Sequence, residues 1–282
     1  MALRILRTPA EMADWSEQAR RAGERIGLVP TMGFLHRGHL SLMAAARARS
    51  TRAVVSIFIN PTQFGPSEDL DRYPRDLDGD LAKCADAGVD LVFTPTATDM
   101  YPDGHRTFVE VTGLSEGLCG ARRPGHFRGV ATVVTQLLGL IRPHLAVFGE
   151  KDWQQLQIIR RLAIDLHLGV EVVGMPVVRE ADGLALSSRN AYLSPEGRVR
   201  ALALSRGLQA ARAMWAAGER GASALIGSVR AQLRAADVRE DYVDLVDPTK
   251  LVPLERADRP DSRLVMAAFV GTTRLIDNAP VG

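Results

Sequence analysis

Residues 30–39 read Pro-Thr-Met-Gly-Phe-Leu-His-Arg-Gly-His, and this stretch decides the fold. It follows residues 25–29, which end a short apolar strand, and precedes residues 40–50, whose Ala and Arg content is typical of a helix. Pro30 and Gly33 interrupt the strand. The stretch is therefore predicted to be a turn that leads from a strand into a helix.

Two histidines in this stretch are candidates for binding phosphate. His36 and His39 share a face if both lie in the first turn of the helix, and Gly38 between them leaves room for a ligand. The N-terminus of a helix offers unbonded N–H groups and a partial positive charge, which suit a phosphate. Two other interpretations stay open at this point: surface histidines at an ordinary turn, and a metal site, which the spacing supports poorly without a carboxylate or cysteine nearby.

The composition is that of a globular protein with one or two domains. The chain has 282 residues, 46% of them hydrophobic, and a net charge of +2 from 35 basic and 33 acidic residues. The sequence has no basic cluster that would predict a nucleic-acid-binding surface. Residues 1–15 have no signal-peptide core, and the sequence has no membrane-spanning run of about 18 apolar residues. Cys84 and Cys119 form no CxxC motif, so reduced cysteines and a cytoplasmic location are expected.

Strand and helix signals alternate through residues 1–185. Continuous apolar runs predict buried strands, and a Gly or Pro follows several of the helices between them. The predicted strands are 53–59, 89–93, 145–148 and 170–178, with a weak edge strand at 107–111, and the predicted helices are 76–87, 130–141 and 153–166, the last capped by Asp152. This alternation predicts an α/β fold, with a Rossmann-like parallel sheet covered by helices on both faces.

The pattern changes in residues 186–282, which are predicted to form a smaller C-terminal α+β domain. Two helices rich in Ala and Arg precede three short strand signals, and the βαβ rhythm is lost. The helices are predicted at 195–217 and 222–236, and the strands at 242–246, 264–270 and 274–276.

Four polar segments follow predicted strands, at the edge of the sheet where parallel α/β proteins bind ligands. They are residues 36–39, 60–65, 149–152 and 186–190. Lys151 can place a point charge on a phosphate. Ser187, Ser188 and Arg189 suit a mobile loop that closes on phosphates.

Glutamines and aspartates supply further candidates. Gln63 and Gln155 can hydrogen-bond a hydroxyl or carboxylate of a small substrate, although Gln154 and Gln157 flank Gln155 and the sequence leaves open which of the three faces inward. One carboxylate of the acidic stretch 69–80 is expected near a magnesium nucleotide. The absence of GxxxxGKS/T, GxGxxG and GxSxG motifs argues against a P-loop kinase, a dinucleotide oxidoreductase and an α/β hydrolase.

HRGH and LSSRN both follow predicted strands. With these two motifs, the chain resembles the HxGH nucleotidyl-transfer superfamily. Further segments narrow the resemblance to the pantoate–β-alanine ligase (pantothenate synthetase) family. They are VPTMGFLHRGHLSL, FINPTQFGPSEDLDRYPRDLDGDL, PGHFRGVATVV, FGEKDWQQLQIIRRL, VVREADGLALSSRNAYLS, DYVDLVDP and GTTRLIDN. Their order and spacing are specific, and they span nearly the whole chain.

The resemblance implies an AMP-forming ligase that condenses (R)-pantoate with β-alanine. In this family the pantoate carboxylate attacks the α-phosphate of ATP, which gives pantoyl adenylate and pyrophosphate, and the β-alanine amine then displaces AMP. The expected partners are ATP, (R)-pantoate and β-alanine, with Mg²⁺ accompanying ATP. The family also predicts a homodimer, with residues 1–185 as the ATP- and pantoate-binding catalytic domain and residues 186–282 as a lid. A nucleotidylyltransferase of the same superfamily and a non-catalytic ligand-binding protein are the alternatives.

The resemblance also implies site residues, which we carry over by position. The ATP-binding residues would be Met32, Gly33, His36, Gly38, His39, Gly149, Glu150, Lys151, Asp152, Val178, Leu186, Ser187, Ser188 and Arg189. The catalytic residues would be His36, His39 (the proton donor), Lys151, Ser187, Ser188 and Arg189. Gln63 and Gln155 would hold pantoate, with Gln63 also near β-alanine, and Asp80 would be a metal ligand. Two positions depart from the family pattern: Leu186 stands where methionine is frequent, and Gly79 replaces one of two paired aspartates beside Asp80.

Overall fold

The structure, a computed structural model, describes residues 3–66 and 68–282. The chain forms two compact units. The N-terminal unit comprises Met1–Glu116, Gly120–Glu150 and Gln155–Pro176, and the C-terminal unit comprises Gly117–Cys119, Lys151–Gln154 and Val177–Gly282. The chain enters the C-terminal unit for the last time at Val177, and the domain boundary after residue 185 stays a prediction.

The N-terminal unit is built on a six-stranded sheet in which all neighbouring strands are parallel. Its strands are β1 (Arg4–Leu6), β2 (Ile26–Thr31), β3 (Arg52–Ile57), β4 (Leu91–Phe93), β5 (Leu145–Gly149) and β6 (Glu171–Met175). Their order across the sheet is β1-β4-β3-β2-β5-β6. The central strands are buried along most of their length, which explains their continuous apolar runs. The predicted Rossmann-like parallel sheet is confirmed.

The strand order changes direction at β2. The chain moves from β2 to β3 and β4 on one side, and returns on the other side of β2 with β5 and β6. The pairing of β2 with β3 continues to Thr31 and Ile57, whereas the pairing of β2 with β5 stops at Leu28 and Ala146. A crevice therefore opens between the carboxyl ends of β2 and β5, at the position where open parallel sheets bind ligands.

Helices connect these strands. They are α1 (Pro9–Arg21), α2 (Arg37–Arg49), α3 (Leu77–Asp86), α4 (Ala97–Met100), α5 (Leu118–Arg122), α6 (His126–Ile141) and α7 (Trp153–Asp165). α1 begins at a capping box in which Thr8 and Glu11 bond each other's backbone N–H, with Pro9 at the first helical position. α6 is buried over most of its length, with Val130 and Ile141 in the core.

The C-terminal unit packs two helices on a three-stranded antiparallel sheet. Its elements are α8 (Pro195–Ala216), α9 (Ala222–Ala235), β7 (Arg239–Val246), β8 (Arg263–Val270) and β9 (Thr273–Pro280). Leu208, Val229 and Met266 lie in the core between helices and sheet. The predicted α+β character is confirmed. In the described part of the chain, no helix is both long enough and apolar enough to cross a membrane.

The predicted helices and strands are found with shifted ends, but one local prediction is wrong. Residues 107–111 form no strand, because the backbone N–H of Val109 donates to the hydroxyl of Thr132 at 3.0 Å instead of to a ladder partner. Asp152 directly precedes α7, and its role as a cap stays a prediction. It ends a 3-10 turn, Glu150–Asp152, that runs directly into α7.

Candidate active site

The turn after β2 contains two residues with positive φ. Gly33 has a φ of 85° and Phe34 a φ of 51°. The hydroxyl of Thr31 supports the turn, since it accepts from the N–H of Gly33 at 3.2 Å and donates to the carbonyl of Ser56 at 2.8 Å. A Cβ on residue 33 would lie 3.0 Å from a carboxylate oxygen of Asp80, so space and backbone conformation both require glycine there.

Asp80 clamps this turn from the start of α3. It is 1% exposed, and its two oxygens accept from the backbone N–H groups of Phe34 and Leu35, each at 2.7 Å. Lys83 Nζ lies 3.7 Å from Oδ1. The carboxylate thereby holds Phe34 in a left-handed conformation that a non-glycine residue adopts at an energetic cost. The geometry gives Asp80 a positioning role, and its role as a metal ligand stays a prediction.

His36 and His39 are each fixed by a hydrogen bond that their own ring nitrogen Nδ1 accepts. Nδ1 of His36, the N-cap of α2, accepts from the N–H of Gly38, and Nδ1 of His39 accepts from the N–H of His36, both at 3.2 Å. The ring centroids lie 4.0 Å apart. Because Nδ1 accepts, each neutral ring carries its proton on Nε2. Both histidines therefore direct an N–H donor from a helix N-terminus, which suits phosphate oxygens, whereas a metal would require an unprotonated Nε2.

Gln63 ends a 3-10 turn, Pro61–Gln63, that follows β3. Its Oε1 accepts from Asn60 Nδ2 at 3.1 Å, and its Nε2 lies 3.1 Å from the sulfur of Met32 in the histidine turn. Asn60 also donates to the carbonyl of Gly129 at 3.1 Å. Gly129 is needed at this contact, because a Cβ would lie 2.7 Å from the backbone nitrogen of Gln63. The amide of Gln63 is thus oriented by a buried asparagine.

α6 and the segment before it hold the backbone of Gln63. Nδ1 of His126 donates to the carbonyl of Gln63 at 2.8 Å, so Nε2 of His126 accepts from Arg123 Nη1 at 3.0 Å. Arg123 is paired in turn with Glu68. Burial raises the pKa of Glu68, but the hydrogen bonds and charge of Arg123 outweigh it and leave the pKa below its ordinary value. The series of contacts from Glu68 through Arg123 and His126 to the carbonyl of Gln63 keeps the Gln63 turn fixed.

Three glutamines of α7 differ in burial. Gln154 and Gln157 are buried, and Gln155 is partly exposed. Gln154 is engaged with the backbone, since it accepts from the N–H of Cys119 and donates to the carbonyl of Gly117. Gln155 is therefore the glutamine of the three that is most accessible to a substrate, and its contact with pantoate stays a prediction.

Lys151 follows β5 through Gly149 and Glu150. Its side chain is 21% exposed, with Nζ 3.9 Å from the carboxylate of Asp152. Its carbonyl accepts from Asn278 Nδ2 at 2.9 Å. The C-terminal unit therefore holds the backbone of this lysine and leaves its charge partly exposed.

The LSSRN segment follows an antiparallel hairpin that spans residues 178–186. The N–H of Leu186 donates to the carbonyl of Val178 at 3.0 Å, and Gly183 near the tip has a φ of 96°. Ser187 Oγ accepts from the N–H of Arg189 at 3.2 Å and caps a 3-10 helix, Ser188–Tyr192. The hydroxyls and the guanidinium thus lie in a defined turn.

The predicted residues fall into two groups. The N-terminal unit holds Met32, Gly33, His36, Gly38, His39, Gln63, Asp80, Gly149, Glu150 and Gln155, and the C-terminal unit holds Lys151, Asp152, Val178, Leu186, Ser187, Ser188 and Arg189. Sequence reasoning misses the supports of Gln63, which are Asn60, Arg123 and His126. Their signal is present in the polar residues of the segments FINPTQF and RPGHFRGV.

The sheet and its histidine turn define a parallel α/β protein with a capped helix N-terminus, of the kind that suits phosphate, beside the switch point of the sheet. Comparison with known proteins gives the family. A family model described as Pantoate-beta-alanine ligase matches residues 4–280, and the chain therefore belongs to the pantoate–β-alanine ligase family. The resemblance inferred from the sequence is confirmed.

Similar proteins match this chain along its whole length. The pantothenate synthetase of Myxococcus xanthus is 62% identical over 284 residues, which cover 100% of this chain and 97% of that protein. A crystal structure of pantothenate synthetase from Thermus thermophilus has a TM-score of 0.93 and 48% identity over 99% of both chains. The pantoate–β-alanine ligase of Francisella tularensis, complexed with β-γ ATP and β-alanine, has a TM-score of 0.85 and 30% identity over 99% of this chain and 98% of that one.

Proposed function

We propose that this ATP-dependent ligase joins (R)-pantoate to β-alanine through a pantoyl adenylate, and that His36 and His39 bind the phosphates of ATP. The observation that carries the proposal is the pair of imidazole rings fixed at the start of α2 by two hydrogen bonds to Nδ1, from which the proton of each neutral ring is assigned to Nε2. They follow β2, beside the crevice between β2 and β5. The partial positive charge of the helix N-terminus acts in the same direction.

In the first step a carboxylate oxygen of pantoate attacks the α-phosphorus of ATP. The bond from that phosphorus to the pyrophosphate oxygen breaks, and pyrophosphate leaves. Both reactants are anions, so positive groups are needed to offset their repulsion and the charge that develops. His36 and His39 supply donors, and His39 Nε2–H is proposed to donate a hydrogen bond to the leaving pyrophosphate. No protein nucleophile is required, because pantoate itself attacks.

The C-terminal unit is proposed to supply further phosphate contacts. Lys151 offers a point charge and Arg189 a planar guanidinium, which are two different ways of stabilising phosphate oxygens. Ser187 and Ser188 add hydroxyl donors. Backbone groups of Gly149, Glu150, Asp152, Val178 and Leu186 are proposed to hold the rest of the nucleotide. Closure of this unit as a lid stays a prediction.

Gln63 is proposed to position pantoate and then β-alanine. Because Oε1 accepts from Asn60, the donor end of the amide is fixed at Nε2. Nε2 carries two hydrogens, so one is available to a substrate oxygen while the other faces the sulfur of Met32. Gln155 is proposed as a second contact. In the second step the β-alanine amine attacks the acyl carbon, the bond to the AMP oxygen breaks, and the nitrogen loses a proton.

Magnesium is proposed to be bound chiefly by the phosphates of ATP. Both oxygens of Asp80 already accept backbone N–H groups, and residues 3–66 and 68–282 contain no group of three or more His, Cys, Asp or Glu arranged to hold a metal. The ion would neutralise part of the phosphate charge. The homodimer and the cytoplasmic location also stay predictions, and analytical ultracentrifugation tests the first.

Pantoate-dependent exchange of labelled pyrophosphate into ATP, measured without β-alanine, tests the proposed reaction. We expect exchange with (R)-pantoate and little with other short carboxylates, and release of free AMP once β-alanine is added. A folded enzyme that shows no exchange contradicts the adenylate. A product that retains the nucleotide would instead identify a nucleotidylyltransferase.

A further inference from the structure

We propose that Asp277 and Asn278 of β9 are positioning residues that hold Lys151 and the hairpin before Ser187 in one fixed arrangement. The inference rests on the proposed function, in which Lys151 and the residues after the hairpin bind the phosphates of ATP. All of these residues belong to the C-terminal unit. The pair lies in the terminal segment GTTRLIDN, to which the reaction itself assigns no role.

The burial of this pair departs from the pattern of its strand. Successive side chains on a strand point to opposite faces, and β9 alternates between buried and partly exposed residues from Thr273 to Ile276. Asp277 and Asn278 are neighbours, yet both are 3% exposed. Buried polar groups require hydrogen-bond partners. A specific polar partner is therefore expected on each face of the strand, one for Asp277 and one for Asn278.

Asn278 holds the backbone of Lys151. Its Oδ1 accepts from Arg263 Nε at 2.7 Å, which fixes the amide so that Nδ2 donates to the carbonyl of Lys151 at 2.9 Å. The guanidinium carbon of Arg263 lies 3.3 Å from the ring centroid of Trp153. Trp153 is anchored in turn by a hydrogen bond from Nε1 to the carbonyl of Pro248. Residues 151–153 are therefore held at both ends from the sheet.

Asp277 holds the hairpin. Its two oxygens accept from Arg179 Nη1 and Nη2, at 2.7 and 2.8 Å, in the bidentate geometry that gives strong and directional ion pairs. Arg179 Nη1 also donates to the carbonyl of Gly183 at 3.1 Å, across the hairpin. Oδ1 of Asp277 accepts in addition from the backbone N–H of Asn278 at 2.8 Å.

Two adjacent residues thus tie together segments that are distant in the chain. Lys151 lies 127 residues before Asn278, and Arg179 lies 98 residues before Asp277. The ties reach backbone atoms and the root of the hairpin, not the side chains that would contact phosphate. Both residues therefore act through other groups, by presetting where a charge and two hydroxyls stand before ATP binds.

Kinetics of the Asn278→Asp variant test this role. Aspartate keeps the size of the side chain and the acceptor for Arg263, but it places an oxygen against the carbonyl of Lys151. We expect the KM for ATP to rise about 10-fold and the KM for pantoate to stay within about twofold. A loss of folded enzyme would lower kcat and leave both KM values unchanged. Asn278→Ala removes the donor without adding charge and should act in the same direction.

A double-mutant cycle separates this inference from the proposed role of Lys151. If Asn278 acts through Lys151, adding Asn278→Asp to Lys151→Ala leaves the KM for ATP where Lys151→Ala put it. An unchanged KM for ATP in Asn278→Asp, or additive effects in the double variant, overturns the inference. A Lys151→Ala enzyme with ordinary kinetics overturns the phosphate role of Lys151 and this inference with it.

The hairpin tie is tested through Asp277→Asn, which also serves if the Asn278 variants do not fold. The amide keeps the volume but loses the bidentate charge partner of Arg179. We expect Asp277→Asn alone to raise the KM for ATP. In an Arg189→Ala enzyme, the same substitution should cause no further rise in that KM. An ordinary KM for ATP in Asp277→Asn overturns the role of Asp277.

Discussion

The backbone N–H of Leu35 donates to a carboxylate oxygen of Asp80 at 2.7 Å, across 45 residues of chain. The other oxygen takes the N–H of Phe34, also at 2.7 Å. The turn that carries the two histidines is therefore shaped by a different helix, α3. The histidines proposed to bind phosphate therefore depend on the carboxylate of Asp80, which holds the turn through its backbone.

Asp80→Asn is expected to lower the pantoate-dependent exchange rate by about 10- to 100-fold, because a displaced turn moves both histidines and small misplacements are costly to catalysis. The amide would set an NH2 group against a backbone N–H, which leaves that donor unpaired. Asp78→Asn, at an exposed position of the same helix turn, is the control. Equal exchange rates in the two variants would contradict the clamp.

Two substitutions of His39 separate its two nitrogens. In His39→Asn the side-chain oxygen can replace Nδ1 as acceptor for the N–H of His36, but the Nε2 donor is lost. In His39→Gln the amide nitrogen can replace the Nε2 donor, but the acceptor is lost. We expect Asn to lower the exchange rate by about 10²–10³, as the loss of one electrostatic donor does, and Gln to retain more activity. The opposite order would show that the cap, and not the donor, is what catalysis needs.

Gly129→Ala is expected to destabilise the protein by about 1–3 kcal/mol and to raise the KM for pantoate more than the KM for ATP. The new methyl group would overlap the backbone of Thr62 and Gln63 and push their turn away from α6. Gly139→Ala on the same helix is the matched control, since its Cβ would meet nothing within 4 Å. That control should be neutral or stabilising by up to about 1 kcal/mol. Urea unfolding and initial rates measure both quantities, and equal effects of the two variants would count against the close contact.

His144 is expected to make stability depend on pH. Its Nδ1 accepts from the N–H of Ile26, and burial together with the charges of Arg20 and Arg25 lowers its pKa below the ordinary 6.5. The folded state then binds fewer protons than the unfolded state, so this stabilisation is present above about pH 6.5 and is lost as the pH falls through the lowered pKa. Urea unfolding at about pH 7.5 and 5.5 measures it. His144→Asn keeps an acceptor without a proton to gain and should lose less stability on acidification; an equal loss in both proteins would exclude His144 as the cause.

The sequence predicts the sheet because burial on both faces leaves a simple pattern. AVVSIFI and LAVF mark β3 and β5 because these buried strands are almost wholly apolar, with Ser56 the one polar residue in the two runs. β1 escapes prediction because Arg4–Leu6 is too short to carry a pattern. The strand predicted at 107–111 shows the reverse error, because its alternation has no partner strand and the side chain of Thr132 takes the N–H of Val109.

The candidate residues could be found from sequence because they cluster in short motifs at strand ends. Their supports could not, because hydrogen bonds between distant segments leave no local signal. His126 lies 63 residues from Gln63 in the chain, and Asn278 lies 127 residues from Lys151. The burial of Gln154 in α7 depends in the same way on its hydrogen bonds to Gly117 and Cys119. These residues lie outside the helix, so the periodicity of the helix cannot predict them.

Pro30 accounts for the crevice at the switch point. Ile26 bonds toward the β5 side of β2, and Thr31 bonds toward β3. Since successive residues of a strand alternate their bonding side, Pro30 faces β5, and its ring nitrogen has no hydrogen to donate. The hydrogen bond that would extend the β2–β5 pairing beyond Leu28 therefore cannot form, and the carboxyl ends of the two strands stay unpaired beside the histidine turn. Proline in a central strand is ordinarily a defect; here the same missing hydrogen is what keeps β2 and β5 from pairing along their full length.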